Sequence, residues 1–376
     1  MIFLNKQLYP GQTIGIIGGG QLGKMLALSA KSNGFYVIVL DPVANCPCAQ
    51  VSDEQIVADY DDKTALKQLA QRADVLTYEF ENIDYNALQA VENETIVAPN
   101  AEILSITQDR ILEKTFLTDL SINVAPFAVI VDRTDIDAKI AGIGFPSVLK
   151  TSNGGYDGKG QVVMQDEQDI EEAAKLLQYG PCVLEAWIPF DSEASILVSR
   201  NHSGDIQLFP VVENEHRDNI LHLTIAPARL SAEVILQAES IATKLAQKTG
   251  LVGTLAIELF IGKNEAVYVN ELAPRPHNSG HYSIEACDFS QFEQHIRAIA
   301  DWPLQRPQLL KKAIMVNVLG QHVDKVYAAI PHHPDWHIHM YGKDEAKHNR
   351  KMGHITLLTN DVESALEDLK NTRIWD

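Results

Sequence analysis

The N-terminal part of the chain has the pattern of a parallel βαβ unit, which strongly restricts its fold. An apolar strand, Thr13–Ile17, runs into the glycine-rich turn Gly18–Gly23, a helix to about Ser32 and a buried strand, Tyr36–Leu40. The turn has G-x-G-x-x-G spacing, and Asp41 follows about 20 positions later, as in dinucleotide-binding folds. Such a loop offers backbone N–H groups and a helix N-terminus to a phosphate. We predict an α/β domain; the pattern does not identify the phosphate.

A third strand of this domain ends in two acidic residues. Val75–Phe80 is apolar, and Glu79 and Glu81 lie at its carboxyl end. Ligands collect at this edge of open α/β sheets. Either carboxylate could bind a sugar or be a solvated strand end, and the residues leave both readings open.

The stretch Leu255–His277 reads as an acidic β-hairpin, because two apolar runs flank the turn Gly262–Glu265. The turn predicts that Glu258 lies opposite Val269. Glu271 is then the diagonal neighbour of Glu258, about 7–8 Å away between Cα atoms.

Two carboxylates at this separation can converge on hard cations such as Mg²⁺. Asn270 joins Glu258 and Glu271 only if the strand twists at its end, because strict alternation turns it to the other face. The alternative is a solvated face of a half-exposed hairpin. The following loop carries Arg275 and His277, which suits an anion beside a metal.

A second glycine-rich segment follows the strand Phe145–Lys150. Thr151–Gly160 holds four glycines within seven positions together with Asp157 and Lys159, and Gln161–Met164 resumes strand character. Glycine lets backbone amides approach phosphate oxygens, and lysine neutralises their charge. The segment is predicted to be a flap over a triphosphate, with a surface hairpin tip as the alternative.

Other elements are predicted from periodicity and capping signals. We expect one helix from about Ala101 to Leu120, another over Asp169–Leu177, a strand at Ile206–Val212 and a helix that Ser231 caps. After a linker at Pro303–Pro307, a small C-terminal unit carries a positive patch that includes Lys343, Arg350 and Lys351.

Composition limits the functional class. The 376 residues suggest two or three domains, and a net charge of −19 argues against nucleic-acid or anionic-membrane binding. The four cysteines form no CxxC pair, and no signal peptide or apolar run long enough for a membrane span is evident. We therefore expect a soluble cytoplasmic protein.

Taken in order, these motifs resemble the ATP-grasp superfamily and, within it, the 5-carboxyaminoimidazole ribonucleotide synthases. The resemblance covers essentially the whole chain. Its motifs are Gly18–Gly23, Tyr78–Asn82, Gln108–Arg110, Lys150–Gly160, Glu185–Ile188, Glu258 with Asn270-Glu271, Ala273–His281, Tyr341–Lys343 and Arg350–His354.

The resemblance implies an α/β (α+β) fold of ATP-grasp architecture in three domains. These are a Rossmann-like pre-ATP-grasp domain over 1–104, an ATP-grasp domain over 105–304 and a small β-rich C-terminal domain over 305–376. It also implies a homodimeric ligase that uses ATP to phosphorylate bicarbonate to carboxyphosphate, whose CO₂ is captured by the amine of 5-aminoimidazole ribonucleotide.

The resemblance further assigns roles to individual residues, including two Mg²⁺ ions held by Glu258, Glu271 and Asn270. The ATP-binding residues would be Arg110, Lys150, Gly155, Tyr156, Asp157, Gly158, Lys159, Gly160, Gln161, Glu185, Ala186, Trp187, Ile188, Glu193, His216, Asn270 and Glu271. The acceptor-binding residues would be Gly20, Gln21, Leu22, Glu79, Asn278, Ser279, Lys343 and Arg350. The catalytic residues would be Tyr156, Asp157, Lys159, Arg275 and His277.

Three other functions compete with this interpretation. A nicotinamide-dependent oxidoreductase would use Gly18–Gly23 and Asp41 but leaves the flap and the acidic hairpin without a role. A formate-using glycinamide ribonucleotide transformylase is the nearest alternative among ATP-grasp enzymes. A non-catalytic nucleotide-binding module is disfavoured because both metal-binding carboxylates are present.

Overall fold

The computed structural model describes residues 7–155 and 160–376. Its strands are β1 Thr13–Ile17, β2 Tyr36–Leu40, β3 Glu54–Ile56, β4 Val75–Tyr78, β5 Ile96–Val97, β6 Phe127–Ile130, β7 Ser147–Thr151, β8 Gln161–Met164, β9 Cys182–Ala186, β10 Phe190–Arg200, β11 Ile206–Leu208, β12 Val212–Arg217, β13 Ile220–Ala226, β14 Gly253–Gly262, β15 Val267–Ala273, β16 Lys312–Leu319, β17 Trp336–Met340 and β18 Lys351–Thr359.

The α-helices alternate with these strands in the N-terminal half and cover the sheets elsewhere. They are α1 Gln21–Ser32, α2 Lys63–Ala70, α3 Tyr85–Val91, α4 Ala101–Gln108, α5 Arg110–Asp119, α6 Arg133–Ile143, α7 Ile170–Ala174, α8 Ala232–Lys248, α9 Ser283–Ala286, α10 Gln291–Ile299, α11 Val323–Ala329 and α12 Val362–Asn371. Within the described ranges, no helix combines the length and the apolar character needed to cross a bilayer.

The N-terminal sheet is parallel, in the order β3-β2-β1-β4-β5, and confirms the predicted βαβ unit. Its central strands are apolar because both of their faces are buried. Ile14 and Ile16 pack into one core cluster and Ile17 and Leu76 into another. The carboxyl ends of β1 and β4 therefore bring Gly18 and Glu79 to the same edge of the sheet.

A four-stranded antiparallel sheet, β6-β9-β7-β8, forms a second layer. Its core joins β7 and β9 to the helices through Leu149, Leu184, Ile136 and Ile170. The predicted flap connects β7 to β8, and the register pairs Lys150 with Gln161 at its base. Tyr156, Asp157, Gly158 and Lys159 lie outside the described residues.

The third sheet contains nine of the described strands, in the order β15-β14-β10-β12-β13-β16-β18-β17, with β11 on β10. The strands of the predicted C-terminal unit, β16 to β18, continue this nine-stranded sheet, because β16 pairs antiparallel with β13. Helix α8 packs on this sheet through Ala238, Ala242 and Leu245. The hydroxyl of Ser231 accepts the N–H of Val234, which confirms the predicted cap.

Three predicted elements are wrong in their extent. The helix expected over residues 101–120 is two helices, because Asp109 takes an extended conformation and its side chain accepts the N–H groups of Ile111 and Leu112. The segment predicted as one helix over residues 169–177 contains the short helix α7 with a 3₁₀ turn on each side. The strand at 206–212 divides into β11 and β12 around Pro210, which lacks an N–H for the ladder.

Candidate active site

A cleft of about 400 Å³ lies between the four-stranded and the nine-stranded sheets. Side chains from all parts of the chain line it, and most of the described ATP-binding predictions are among them. These are Arg110, Lys150, Gly155, Gln161, Glu185, Ala186, Trp187, Ile188, Glu193, His216, Asn270 and Glu271. Glu258, Arg275, His277 and Asn278 line the same cleft.

The acidic hairpin has a different register from the predicted one. Leu259 pairs with Val269, and Glu258 lies directly opposite Glu271 rather than opposite Val269. The turn is one residue longer than expected, and Asn270 is the extra residue of a register shift next to Glu258. The irregularity brings the Asn270 amide 3.5 Å from Oε2 of Glu258. The two carboxylates are thus closer neighbours than the diagonal pair that was predicted.

Electrostatics at this hairpin suit a cation. Burial in the cleft and the charge of Glu271 raise the pKa of the Glu258 carboxyl. The same two causes raise the pKa of Glu113, which accepts the N–H of Leu272 at 3.2 Å. No cluster of three or more His, Cys, Asp or Glu arranged around a metal occurs in 7–155 or 160–376. The oxygen-only set of Glu258, Glu271 and Asn270 nevertheless fits Mg²⁺, which often uses one or two carboxylates and takes its other ligands from substrate phosphates and water.

Two lysines converge on a buried carboxylate at the opposite wall of the cleft. Glu185 Oε2 lies 3.2 Å from Nζ of Lys150 and 3.3 Å from Nζ of Lys114. Burial alone would raise the pKa of Glu185, but the two ammonium groups outweigh it and lower the pKa. The side chain of Lys114 is only 2% exposed, so one buried carboxylate holds two cations at this wall of the cleft.

The predicted adenine contacts need one refinement. The N–H of Ala186 donates to the carbonyl of Pro126, and that of Trp187 donates to Pro146. Ala186 can therefore contact a purine only through its carbonyl. On the facing sheet, Glu193 Oε2 lies 2.9 Å from Nδ1 of His216, so the two side chains predicted to bind ATP hold one another.

The base of the flap is held by the N-terminus of α5. Arg110 donates to the carbonyl oxygens of Thr151 at 3.0 Å and Gly155 at 3.3 Å. The Asp109 carboxylate accepts hydrogen bonds from Ser152 at 2.6 Å and Asn153 at 3.3 Å, besides capping the helix. Asp109 thereby couples a helix terminus to the flap.

We expect Asp109→Ala to weaken both stability and nucleotide binding. Loss of an N-cap should lower the free energy of unfolding in urea by about 1–2 kcal/mol. Loss of the hydrogen bonds at the flap base should raise the KM for ATP about tenfold. Asp361, which caps α12 away from the cleft, is the matched control: Asp361→Ala should lower stability alone. An unchanged KM in Asp109→Ala would contradict the coupling.

The loop after the hairpin brings Arg275 and His277 into the cleft. Nε of Arg275 forms an ion pair of 2.7 Å with Oε1 of Glu81, which follows β4 in the N-terminal domain. Burial would lower the pKa of Arg275, but Glu81 raises it overall. Burial and the charge of Arg275 lower the pKa of His277, which is therefore neutral. Its Nε2 lies 3.3 Å from Oε1 of Glu258.

The two residues that follow have internal partners. Asn278 exchanges amide hydrogen bonds of 3.0 and 2.8 Å with Asn317. Ser279 is fully buried, and its hydroxyl lies between Ser195 and His277. Asn278 borders the cleft, whereas Ser279 cannot touch a substrate there as the resemblance implied.

The first glycine-rich loop binds carboxylates of its own domain. Gly19 donates its N–H to Asp41 at 2.7 Å, while Gly20 and Gly23 donate theirs to Glu79, at 2.7 Å for Gly23. The prediction that these N–H groups face a phosphate is thus wrong for all three glycines. Asp41 is 5% exposed and also accepts the hydroxyl hydrogen of Tyr60. Both of these donors occupy the carboxylate that an NAD-binding fold would use for the adenosine ribose, which weakens the oxidoreductase interpretation.

The segment Tyr341–Lys343 of the C-terminal unit contacts α1, close to Glu79. Lys24 donates to the carbonyl of Tyr341 at 3.1 Å, and Gln50 donates to that of Gly342 at 3.0 Å. Lys343 donates to the carbonyl of Lys351 at 2.8 Å. Burial, together with the charges of nearby cations, lowers the pKa of Lys343 to about 8, and Glu79 partly offsets the shift.

The exposed Arg350 points elsewhere, with its guanidinium 3.0 Å from the carbonyl of Glu345. Charged residues that were not among the predicted site residues also line the cleft, including Glu113, Lys114 and Lys351. Glu113 and Lys114 share the amphipathic helix that carries Arg110, which was the available signal. Their burial depends on how α5 packs, and periodicity cannot show that.

Comparison with known proteins finds matching domain families along the chain. The ATP-grasp domain family matches residues 115–292, and the ribonucleotide synthetase preATP-grasp domain matches 11–108. The phosphoribosylaminoimidazole carboxylase C-terminal domain matches 313–368. A Bacillus subtilis N5-carboxyaminoimidazole ribonucleotide synthase is 45% identical over 369 residues, 98% of this chain and 97% of that protein. A Staphylococcus aureus relative of the same name is 47% identical over 360 residues, 96% of each chain.

Solved structures are similar along the whole chain. An N5-carboxyaminoimidazole ribonucleotide synthetase in complex with ADP is 49% identical, with a TM-score of 0.97 over 99% of both chains. An Aspergillus clavatus N5-carboxyaminoimidazole synthase in complex with ADP and 5-aminoimidazole ribonucleotide is 31% identical, with a TM-score of 0.91 over 97% of this chain and 98% of that one. With its three domain matches and its full-length relatives, the chain belongs to the N5-carboxyaminoimidazole ribonucleotide synthase family of ATP-dependent ATP-grasp ligases.

Proposed function

We propose that this chain joins bicarbonate to the exocyclic amine of 5-aminoimidazole ribonucleotide at the expense of ATP. One observation carries the proposal. The acid pair Glu258–Glu271, the lysine pair on Glu185 and the Arg275–His277 loop face a single cleft. Such a cleft can hold a triphosphate between a cation site and two ammonium groups, with an anion site beside it.

The nucleotide end of the cleft neutralises phosphate charge. Lys150 and Lys114 would contact phosphate oxygens, while Glu185 keeps both ammonium groups in place. Glu258, Glu271 and Asn270 would hold Mg²⁺, which supplies charge neutralisation at the β- and γ-phosphates when bound. The Ala186 carbonyl and the Ile188 amide would meet adenine, and Glu193 would meet the ribose.

Arg275 and His277 would bind the bicarbonate and the transferred phosphoryl group. A bicarbonate oxygen attacks the γ-phosphorus, and ADP leaves. The carboxyphosphate so formed releases phosphate and CO₂, and the amine attacks CO₂ and loses a proton. The fixed cation of Arg275 suits the anionic bicarbonate. Asp157 and Tyr156 of the flap stay the predicted groups for receiving the proton or orienting the amine, and Lys159 for phosphate.

The acceptor would occupy the junction of the N-terminal and C-terminal domains. Glu79, Gln21 and Leu22 would meet its ribose, and Lys343 its phosphate. Arg350 would reach the same phosphate after leaving the Glu345 carbonyl. Asn278 would contribute from the cleft side, and Gly20 would contribute to the shape of the loop.

The function is tested by ADP release with purified protein, ATP and Mg²⁺. We expect release to require both bicarbonate and 5-aminoimidazole ribonucleotide for full rate, and the product to carry label from ¹⁴C-bicarbonate. Turnover with formate and glycinamide ribonucleotide instead would favour the transformylase alternative. Label absent from the product despite ADP release would overturn the carboxylation.

The pH dependence of kcat/KM for the acceptor should report the titration of Lys343. The pKa of Lys343 is lowered to about 8, so the ammonium that would bind the acceptor phosphate is present below that pH and is lost above it. We expect kcat/KM for the acceptor to fall as pH rises through about 8. Lys343→Arg keeps its charge there, so its profile should stay flat. A decline with the same midpoint in Lys343→Arg would rule out Lys343 as its source.

Two further expectations accompany the function. We predict a homodimer, which sedimentation equilibrium would test, and a cytoplasmic location. The four cysteines are free and buried, which is consistent with a reducing compartment.

A further inference from the structure

A line of buried hydroxyl and amide groups connects the nine-stranded sheet to His277. Thr224 lies 2.9 Å from Oδ1 of Asn214, whose Nδ2 lies 3.0 Å from Oγ of Ser195. Ser195 lies 2.7 Å from the hydroxyl of Ser279, which is 2.9 Å from Nδ1 of His277. The sheet register creates this line, since Asn214 pairs with Thr224 on β13 and with Glu193 on β10, two positions before Ser195 on the same face.

The direction of the hydrogen bonds is determined at the His277 end. The backbone N–H of Ser279 also points at Nδ1 of His277, at 3.4 Å. A backbone N–H can only donate, so Nδ1 is an acceptor and carries no proton. The Ser279 hydroxyl must then donate to Nδ1 and accept from Ser195.

The same logic extends to the far end of the line. Ser195 has used its hydrogen on Ser279, so it accepts from the amide of Asn214. Asn214 thereby turns its oxygen to Thr224, whose hydroxyl donates to it. This direction gives Asn214, Ser195 and Ser279 each one donor and one acceptor within the line, and all four residues before His277 are at least nine-tenths buried.

Because Nδ1 carries no proton, the ring proton of His277 is on Nε2. That atom lies 3.3 Å from Oε1 of Glu258, on the cleft side of the ring. An Nε2–H group can donate a hydrogen bond to an oxygen in the cleft, but it cannot accept a proton there.

We propose that Ser279, Ser195 and Asn214 are positioning residues that hold His277 in the Nε2–H tautomer, so that it donates a hydrogen bond to bicarbonate or to the transferred phosphoryl group. The role of His277 toward these anions rests on the proposed function, whereas its tautomer does not. His277 then acts as a hydrogen-bond donor to anionic oxygens and not as the base that accepts the proton of the amine.

The tautomer can be measured without substrate. Full-length protein labelled with ¹⁵N-histidine should show, by long-range ¹H–¹⁵N correlation, one neutral Nε2–H imidazole that disappears in His277→Gln. An Nδ1–H or doubly protonated imidazole at His277 would overturn the proposal. Because no turnover is involved, this result is independent of whether bicarbonate is the substrate.

Asn214→Asp tests the line itself, because a carboxylate of the same shape only accepts hydrogen bonds and reverses the order of donors. We expect kcat for ADP release to fall about tenfold and KM for ATP to stay within about twofold, with loss of the Nε2–H signal. Thr224→Val, the matched control, leaves the direction intact and should keep kcat within about twofold. An unchanged kcat and signal in Asn214→Asp would refute the role of the line.

Ser279→Ala and Ser279→Thr provide a second pair in case the aspartate variant does not fold. We expect the alanine variant to lose activity and the Nε2–H signal together, and the threonine variant, which keeps the hydroxyl, to recover both. Equal activity and equal signals in the two variants would contradict the proposal.

Discussion

Replacing Glu271 by glutamine should abolish ATP turnover, with kcat for ADP release lowered at least about a hundredfold. Glu271 lies directly opposite Glu258 on the hairpin, and their mutual repulsion makes the pair a site for positive charge. Glutamine keeps the size of the side chain but removes one of the two negative charges that would hold Mg²⁺.

Glu265→Gln is the matched control for this change. Glu265 lies exposed in the turn of the same hairpin and is remote from the acid pair. Both variants should melt like the unmodified protein without ligands. Only Glu271→Gln should lose the rise in melting temperature that Mg²⁺ with ATP gives the folded enzyme. Residual turnover above about a tenth of normal would argue strongly against a metal role.

Lys343→Met should raise the KM for 5-aminoimidazole ribonucleotide about a hundredfold and leave the KM for ATP unchanged. Lys343 is half-buried beside Glu79 at the junction of the N-terminal and C-terminal domains, where a phosphate would meet its ammonium with little competing water. Arg350→Met should have a smaller effect of about threefold, because that side chain is exposed and its interactions are screened.

Lys347→Met is the control for Lys343, since Lys347 is an exposed lysine of the same segment and pairs with Glu345. It should change neither KM. An acceptor KM in Lys343→Met that matches the control would place the phosphate elsewhere, even if carboxylation itself is confirmed.

The sequence was informative wherever a local pattern determines structure. The βαβ unit, the capped helix after Ser231 and the hairpin around Gly262–Glu265 were predicted from alternation, turn residues and caps, and all three are present. The pair Glu258–Glu271 followed from the period-2 alternation of strands. Its register was wrong because the turn is one residue longer than expected and Asn270 is an extra residue next to Glu258. Alternation alone can detect neither of these.

Pairings between distant segments could not be predicted in this way. Glu185 with Lys114, Arg275 with Glu81 and Leu272 with Glu113 join residues that are tens of positions or more apart. No local period encodes these contacts, because they arise when separate sheets pack against each other. The hydrogen-bond partners of the glycine-rich loop are a similar case. Its N–H groups donate to Asp41 and Glu79, which follow β2 and β4.

Local patterns were enough to predict which chemical groups this protein has and the order of its strands and helices, because turns, caps and apolar periods depend on neighbouring residues. Which groups are buried together depends on how distant segments pack, and burial is what shifts pKa values and orients hydrogen bonds. The Nε2–H tautomer inferred for His277 illustrates the difference, since it depends on Asn214 and Ser195, which come from strands more than sixty residues earlier in the chain.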